Sequence, residues 1–121
     1  MSAWTWLAVA LLGGVGAGAR FLLDAFICAR ARGDFPLGTL AVNTSGSLLL
    51  GLLAGLTVTG DALVLAGTAT LGSYTTFSTW MIETQRLAED ARARVAAANV
   101  LLSLLVGVGA AALGRSIGAH A

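Results

Sequence analysis

An all-α integral membrane fold of four spanning helices, the third of them broken, is predicted by three observations. The 121-residue chain is 57% hydrophobic and only 11% charged, and its mean hydropathy of +0.86 describes a protein dissolved in lipid. Four apolar stretches, residues 4–29, 35–58, 62–82 and 95–113, each approach the ~20 residues that carry a helix across a ~30 Å hydrocarbon layer. The third stretch runs into Gly72-Ser73-Tyr74-Thr75-Thr76-Phe77-Ser78-Thr79-Trp80, which brings five serine or threonine hydroxyls and three aromatics to membrane depth. Non-helical backbone there is tolerated only where it is buried in protein or lines a cavity, so the segment marks a place where something polar is handled.

The first span, 4–29, has no positive residue before it and is longer than the ~7–15-residue core of a secretory signal, so it is expected to remain as a span. Near its end Arg20 and Asp24 stand one turn apart and are expected to pair. Cys28, the single cysteine, has no intrachain partner and reads as a small apolar residue close to the helix end. After Arg30-Ala31-Arg32-Gly33-Asp34, Pro36 falls in the first turn of span two, where its missing N–H costs nothing. Span two carries a ridge of Thr39, Asn43, Ser47, Gly51 and Gly55; successive members drift only ~40° around a helix, so one neighbour or cavity meets them. Asn43 must hydrogen-bond in hydrocarbon. Its NH₂ donors could replace water around an anion, and an interhelical hydrogen bond would account for it as well. Thr59-Gly60-Asp61 reads as a tight turn into span three, and Glu83–Arg94 as helix extensions emerging into water. Span four repeats the small polar pattern with Asn99, Ser103 and Gly107.

These connections leave one membrane domain, 1–121, with no internal repeat, so any pseudosymmetry must come from a second chain. Among the 16 glycines, the pairs Gly14/Gly18 and Gly51/Gly55 suit close helix approach and oligomerisation, although any single pair also arises by chance. Asp24, Asp61 and Glu83 stand at span ends, whereas a proton-coupled exporter needs a carboxylate well inside a span. Donors without carboxylates suit an anion pore; a cation site made of backbone carbonyls would be invisible in side-chain identities. His120 and Cys28 supply neither a metal cluster nor a nucleophile with its base, so the chain is not read as an enzyme. Nucleic acid is not expected among its partners.

The segments GVGAGARF (Gly14–Phe21), PLGTLAVNTSGSLLLG (Pro36–Gly51) and GSYTTFSTW (Gly72–Trp80) resemble the signature segments of the Fluc (CrcB) fluoride channels, in order and at matching spacing. The resemblance covers essentially the whole chain. It implies a four-span subunit in an antiparallel dimer with a pair of fluoride pores, and a structural Na⁺ at the dimer centre. The Na⁺ ligands would be the main-chain carbonyls of Gly72 and Thr75 from each subunit, a hard cation in an oxygen cage. Phe77 matches the first of two pore phenylalanines, whose positively polarised ring edge faces fluoride. Asn43 matches the pore asparagine. Thr76, Ser78 and Thr79 add hydroxyls, some of which cap the broken helix. Arg20 matches the arginine at the end of span one, a vestibule or interfacial charge that raises local anion concentration.

Two departures stand out. Trp80 replaces the second phenylalanine, and Asn99, Ser103 and Gly107 occupy positions where the family pattern is a tyrosine followed by small hydroxyl residues. The pore served by these positions is expected to be modified or silent. The function implied is passive export across the inner (plasma) membrane, which relieves fluoride toxicity: HF enters from acidic surroundings, ionises in the cytoplasm, and the trapped fluoride leaves. The alternatives are a poorly conducting structural subunit of a heterodimeric channel and a small proton-coupled exporter. The expected partners are fluoride, the lipid bilayer and a second copy or an oppositely oriented homologue.

Charge placement bears on that last choice. Arg30, Arg32, Arg86, Arg92 and Arg94 belong to loops one and three, against Arg115 on the other side and no lysine anywhere. The positive-inside rule then puts both termini outside and the two arginine-bearing loops in the cytoplasm. A chain that inserts both ways should have balanced loops. The bias favours one member of a two-gene pair, while a homodimer would require a bias too weak to fix orientation.

Overall fold

The computed structural model describes Met1–Ala121 and is helical along most of its length. Helix α1 (Ala3–Arg30) starts where Ser2 accepts the Thr5 N–H at 3.2 Å, satisfying one of the donors that a helix start leaves free. At its far end Arg30 donates to the Phe26 carbonyl at 3.1 Å and lays its guanidinium 3.7 Å from the Phe26 ring centroid. A cation there complements the negative end of the helix dipole. Gly33, at φ 88°, turns the chain, and α2 (Leu37–Gly55) begins after Pro36, which stands just outside the helix as its cap instead of inside its first turn.

The chain reverses over residues 56–60, with Thr57 in the left-handed region at φ 58°. Gly60, at φ 65°, opens α3 (Gly60–Leu63), so the reversal includes Thr59 and Gly60 but starts earlier, at Leu56. A π-helical stretch, Val64–Leu71, follows, in which the Thr70 hydroxyl donates to the Leu65 carbonyl at 2.7 Å. After α4 (Gly72–Tyr74) the backbone is extended at Thr75 (φ −79°, ψ 158°) and Thr76 (φ −144°, ψ 120°). Helix α5 (Phe77–Glu89) and, past a short turn with Ala91 at φ 59°, α6 (Ala93–Ala119) complete the chain.

Three helices, α1, α2 and α6, are long and apolar enough to cross a bilayer, as in a multi-pass membrane protein. The stretch 62–82 differs: it is divided among shorter pieces. Hydroxyls there bond to carbonyls of the preceding turn. Ser73 donates to the Ala69 and Thr70 carbonyls at 2.7 and 3.0 Å, and Thr75 Oγ1 donates to the Leu71 carbonyl at 3.1 Å. Such bonds offer the chain an alternative to the helical ladder.

Helix α2 lies directly on α6. A Cβ placed on Gly51 or Gly55 would strike the Ala111 or Arg115 carbonyl, and one on Gly114 or Gly118 would strike the Leu48 or Leu52 carbonyl. The Gly51/Gly55 pair is therefore used inside the chain, whereas Gly14 and Gly18 face open space. On α1 it is Gly16 that meets Thr70 and Ser73. The interior is thin. Only 12 of 121 residues are buried, with Val42, Ala69 and Ala96 as the apolar ones, while Trp4, Phe21 and Leu105 point outward, an inverted surface suited to lipid. Arg20 and Asp24 do not pair. The ion pair is Arg92 with Asp34, joining the segment after α1 to the residue before α6, and Asp24 instead accepts from Cys28 Sγ at 3.5 Å.

Candidate functional site

Two extended residues between helices leave main-chain groups without helical partners, and each needs another. Asn43 supplies both partners for Thr76. Its Oδ1 accepts the Thr76 N–H at 2.8 Å and its Nδ2 donates to the Thr76 carbonyl at 2.9 Å. One Nδ2 hydrogen remains for another acceptor. Thr76 Oγ1 accepts the Thr79 N–H at 3.2 Å and donates to Thr79 Oγ1 at 3.0 Å, capping α5. Ser45 and Tyr74 bond through their hydroxyls at 2.8 Å and tie α2 to α4. The carbonyl of Thr75, which lies outside any helix, accepts no main-chain hydrogen bond.

These groups edge a groove of about 540 Å³ whose walls include Asn43, Ser47, Gly72, Thr75, Phe77 and Trp80. A second groove, about 310 Å³, runs along α6 past Ser103 and Gly107 and shares Asn43, Ser47 and Trp80 with the first. Phe77 is 71% exposed. Its ring meets Trp80 edge to face, with centroids 5.7 Å apart and planes at 82°, the arrangement that aromatic quadrupoles prefer.

Residues 7–115 match the profile of the family described as CrcB-like protein, Camphor Resistance (CrcB). The chain belongs to the CrcB family. It is 53% identical over 112 residues to "Fluoride-specific ion channel FluC 2" of Mycolicibacterium paratuberculosis, covering 93% of this chain and 92% of that one. The protein of the same name from Mycobacterium tuberculosis is 52% identical over 112 residues, 93% of this chain and 89% of its own. "Fluoride-specific ion channel FluC 1" of Leifsonia xyli is 43% identical over 117 residues, 93% of this chain and 85% of that one.

In this CrcB chain Gly72, Thr75, Asn43, Phe77 and Trp80 gather on the first groove, and Ser103 and Gly107 join Asn43 and Trp80 on the second. Ser78 is exposed outside both grooves, Thr79 serves the α5 cap, and Arg20 on α1 lines neither. Asn99 also lies off both walls. It is 1% exposed and donates through Nδ2 to Thr84 Oγ1 at 2.8 Å. Thr84 is absent from any reading of the sequence because it sits in the polar run that reads as solvated helix; its one signal is a position one turn beyond Trp80. Glu83 differs from a simple end-of-span charge as well. Its Oε1 is buried without a hydrogen-bond partner, and the side chain helps line a cavity of about 340 Å³ with Cys28, Asp34 and Asp90.

Proposed function

We propose that this chain is a subunit of a fluoride-selective channel that lets cytoplasmic fluoride leave passively across the inner (plasma) membrane. The observation that carries the reading is the meeting of Asn43, Phe77 and Trp80 on one groove beside extended Thr75 and Thr76, in a CrcB chain with relatives named fluoride-specific ion channels. Residues 62–82 are then the third span, broken at Thr75-Thr76, and chains assemble as antiparallel dimers.

Fluoride is small and strongly hydrated, so it passes only where donors replace water in stages and bind weakly enough to release it. The donors available along the two grooves are the remaining Asn43 N–H, the Ser47 and Ser103 hydroxyls and the positive edge of Phe77. Family membership also points to a structural Na⁺, and the residues fit it: Gly72 and Thr75 both line the groove, and the Thr75 carbonyl accepts no main-chain hydrogen bond. Oxygens of this kind suit a hard cation. A cation held there would supply positive charge to the negative ends of these carbonyl dipoles.

A second reading, a scaffold subunit whose own pore conducts poorly, draws on Gly107, which offers no donor on the second groove. Fluoride efflux from liposomes separates the two. A channel subunit gives efflux alone or with an oppositely oriented homologue, and the efflux is abolished by changing its own Phe77. A scaffold subunit gives efflux only with the homologue, and that efflux survives the change. Transport that requires a proton gradient would overturn both in favour of a coupled exporter.

A further inference from the structure

Trp80, Asn99 and Thr84 close a ring of hydrogen bonds between α5 and α6. Trp80 Nε1 donates to the Asn99 carbonyl at 3.2 Å, Asn99 Nδ2 donates to Thr84 Oγ1 at 2.8 Å, and Thr84 Oγ1 donates to the Trp80 carbonyl at 2.8 Å. We infer that Thr84 is a positioning residue that holds the Trp80 ring through Asn99, and that Asn99 is part of this brace and not a donor to the ion. The inference rests on reading the Phe77–Trp80 groove as the fluoride path.

Asn99 is 1% exposed, so its amide cannot turn to the groove without stranding a buried donor. The Thr84 hydroxyl, having given its proton to the Trp80 carbonyl, presents lone pairs to that amide. With its N–H tied to α6 and its backbone on α5, the indole is fixed relative to both helices, and this is the orientation that sets it edge to face with Phe77. Ser103 reaches Asn99 Oδ1 only at 3.4 Å, long for a hydroxyl donor, so on the groove its O–H is readily turned to donate to an anion.

The test uses the full chain with Trp4→Phe and Trp6→Phe, both positions being highly exposed, so that Trp80 is the sole indole. In liposomes, Thr84→Val keeps shape and removes the hydroxyl. Acrylamide should then quench Trp80 faster and fluoride efflux should fall about fivefold, the equivalent of one net hydrogen bond. Thr84→Ser should restore both. Unchanged quenching in Thr84→Val, altered quenching with unaltered efflux, or a Thr84→Ser as deficient as the valine variant would each overturn the inference. If Thr84→Val does not reconstitute, Asn99→Ser opens the ring from the other side and is judged by the same two readouts. If the parent carries no fluoride with or without a homologue, the channel reading falls, while quenching still decides whether Thr84 holds Trp80.

Discussion

Asn43 and Phe77 share a groove yet depend on their surroundings in opposite ways, and mutation should separate them. Asn43 is half-buried and bonds both main-chain groups of Thr76, so Asn43→Ala leaves two backbone groups wanting partners, at about 1–3 kcal/mol each where water is excluded. Phe77 is 71% exposed and contributes little to folding. Phe77→Ile should therefore lower fluoride efflux by about tenfold, the upper end of what an aromatic edge contributes, with no change in thermal stability. Asn43→Ala should lower both. Efflux from reconstituted variants beside melting curves in detergent checks the pair, and an unaltered efflux in Phe77→Ile removes that ring from the conduction path. Sequence made Asn43 conspicuous, because an amide in an apolar span must find partners. It did not show that the partner is the Thr76 backbone, since that depends on dihedrals two helices away.

At the scale of elements, α1, α2 and α6 were legible because hydropathy alone specifies a long apolar helix. In the third stretch the sequence points to the hydroxyl-rich run Gly72–Trp80, within which the backbone is extended at Thr75 and Thr76. The π-helical stretch Val64–Leu71, in which the Thr70 hydroxyl bonds to the Leu65 carbonyl, was not legible, because an apolar run reads alike in either ladder. The glycines divide in a way that composition conceals. Gly114 meets the α2 backbone, whereas a Cβ on Gly72 would meet nothing nearer than 3.8 Å, and Gly72 itself is ordinary helix at φ −63°. In the proposed dimer its smallness would serve the contact between subunits instead of its own backbone path. Gly114→Val should fail to fold, since clashes with fixed backbone exceed the ~1–3 kcal/mol of ordinary overpacking. Gly72→Val should fold but assemble weakly. Size-exclusion profiles of the two decide it: a Gly72→Val chain that assembles like the parent would remove Gly72 from the proposed subunit contact.

For the whole molecule, the folded chain draws the charges of loops one and three to one end. Asp34, after α1, pairs with Arg92, just before α6, which brings Arg30 and Arg32 to the same end as Arg92 and Arg94, while Arg115 lies near the opposite end of α6. Asp34, Glu89 and Asp90 share that end with the arginines, but the positive-inside rule counts arginine and lysine rather than net charge. Nearly all molecules should insert with both termini outside, and the chain alone should form antiparallel dimers poorly. With Cys28 replaced, cysteines introduced at Ser2 and Ala119 should label from outside and one at Gly33 only from inside. Arg30→Ser and Arg32→Ser, combined with Ser2→Lys and Thr59→Lys, should scramble or invert the pattern, because insertion follows the side richer in positive residues. Comparable outside and inside populations at all three positions in the unmodified chain would mean that a charge difference of this size does not fix orientation. The chain would then pair with its own copy, and the fluoride path along Asn43 and Phe77 would stand unaltered in both halves of that dimer.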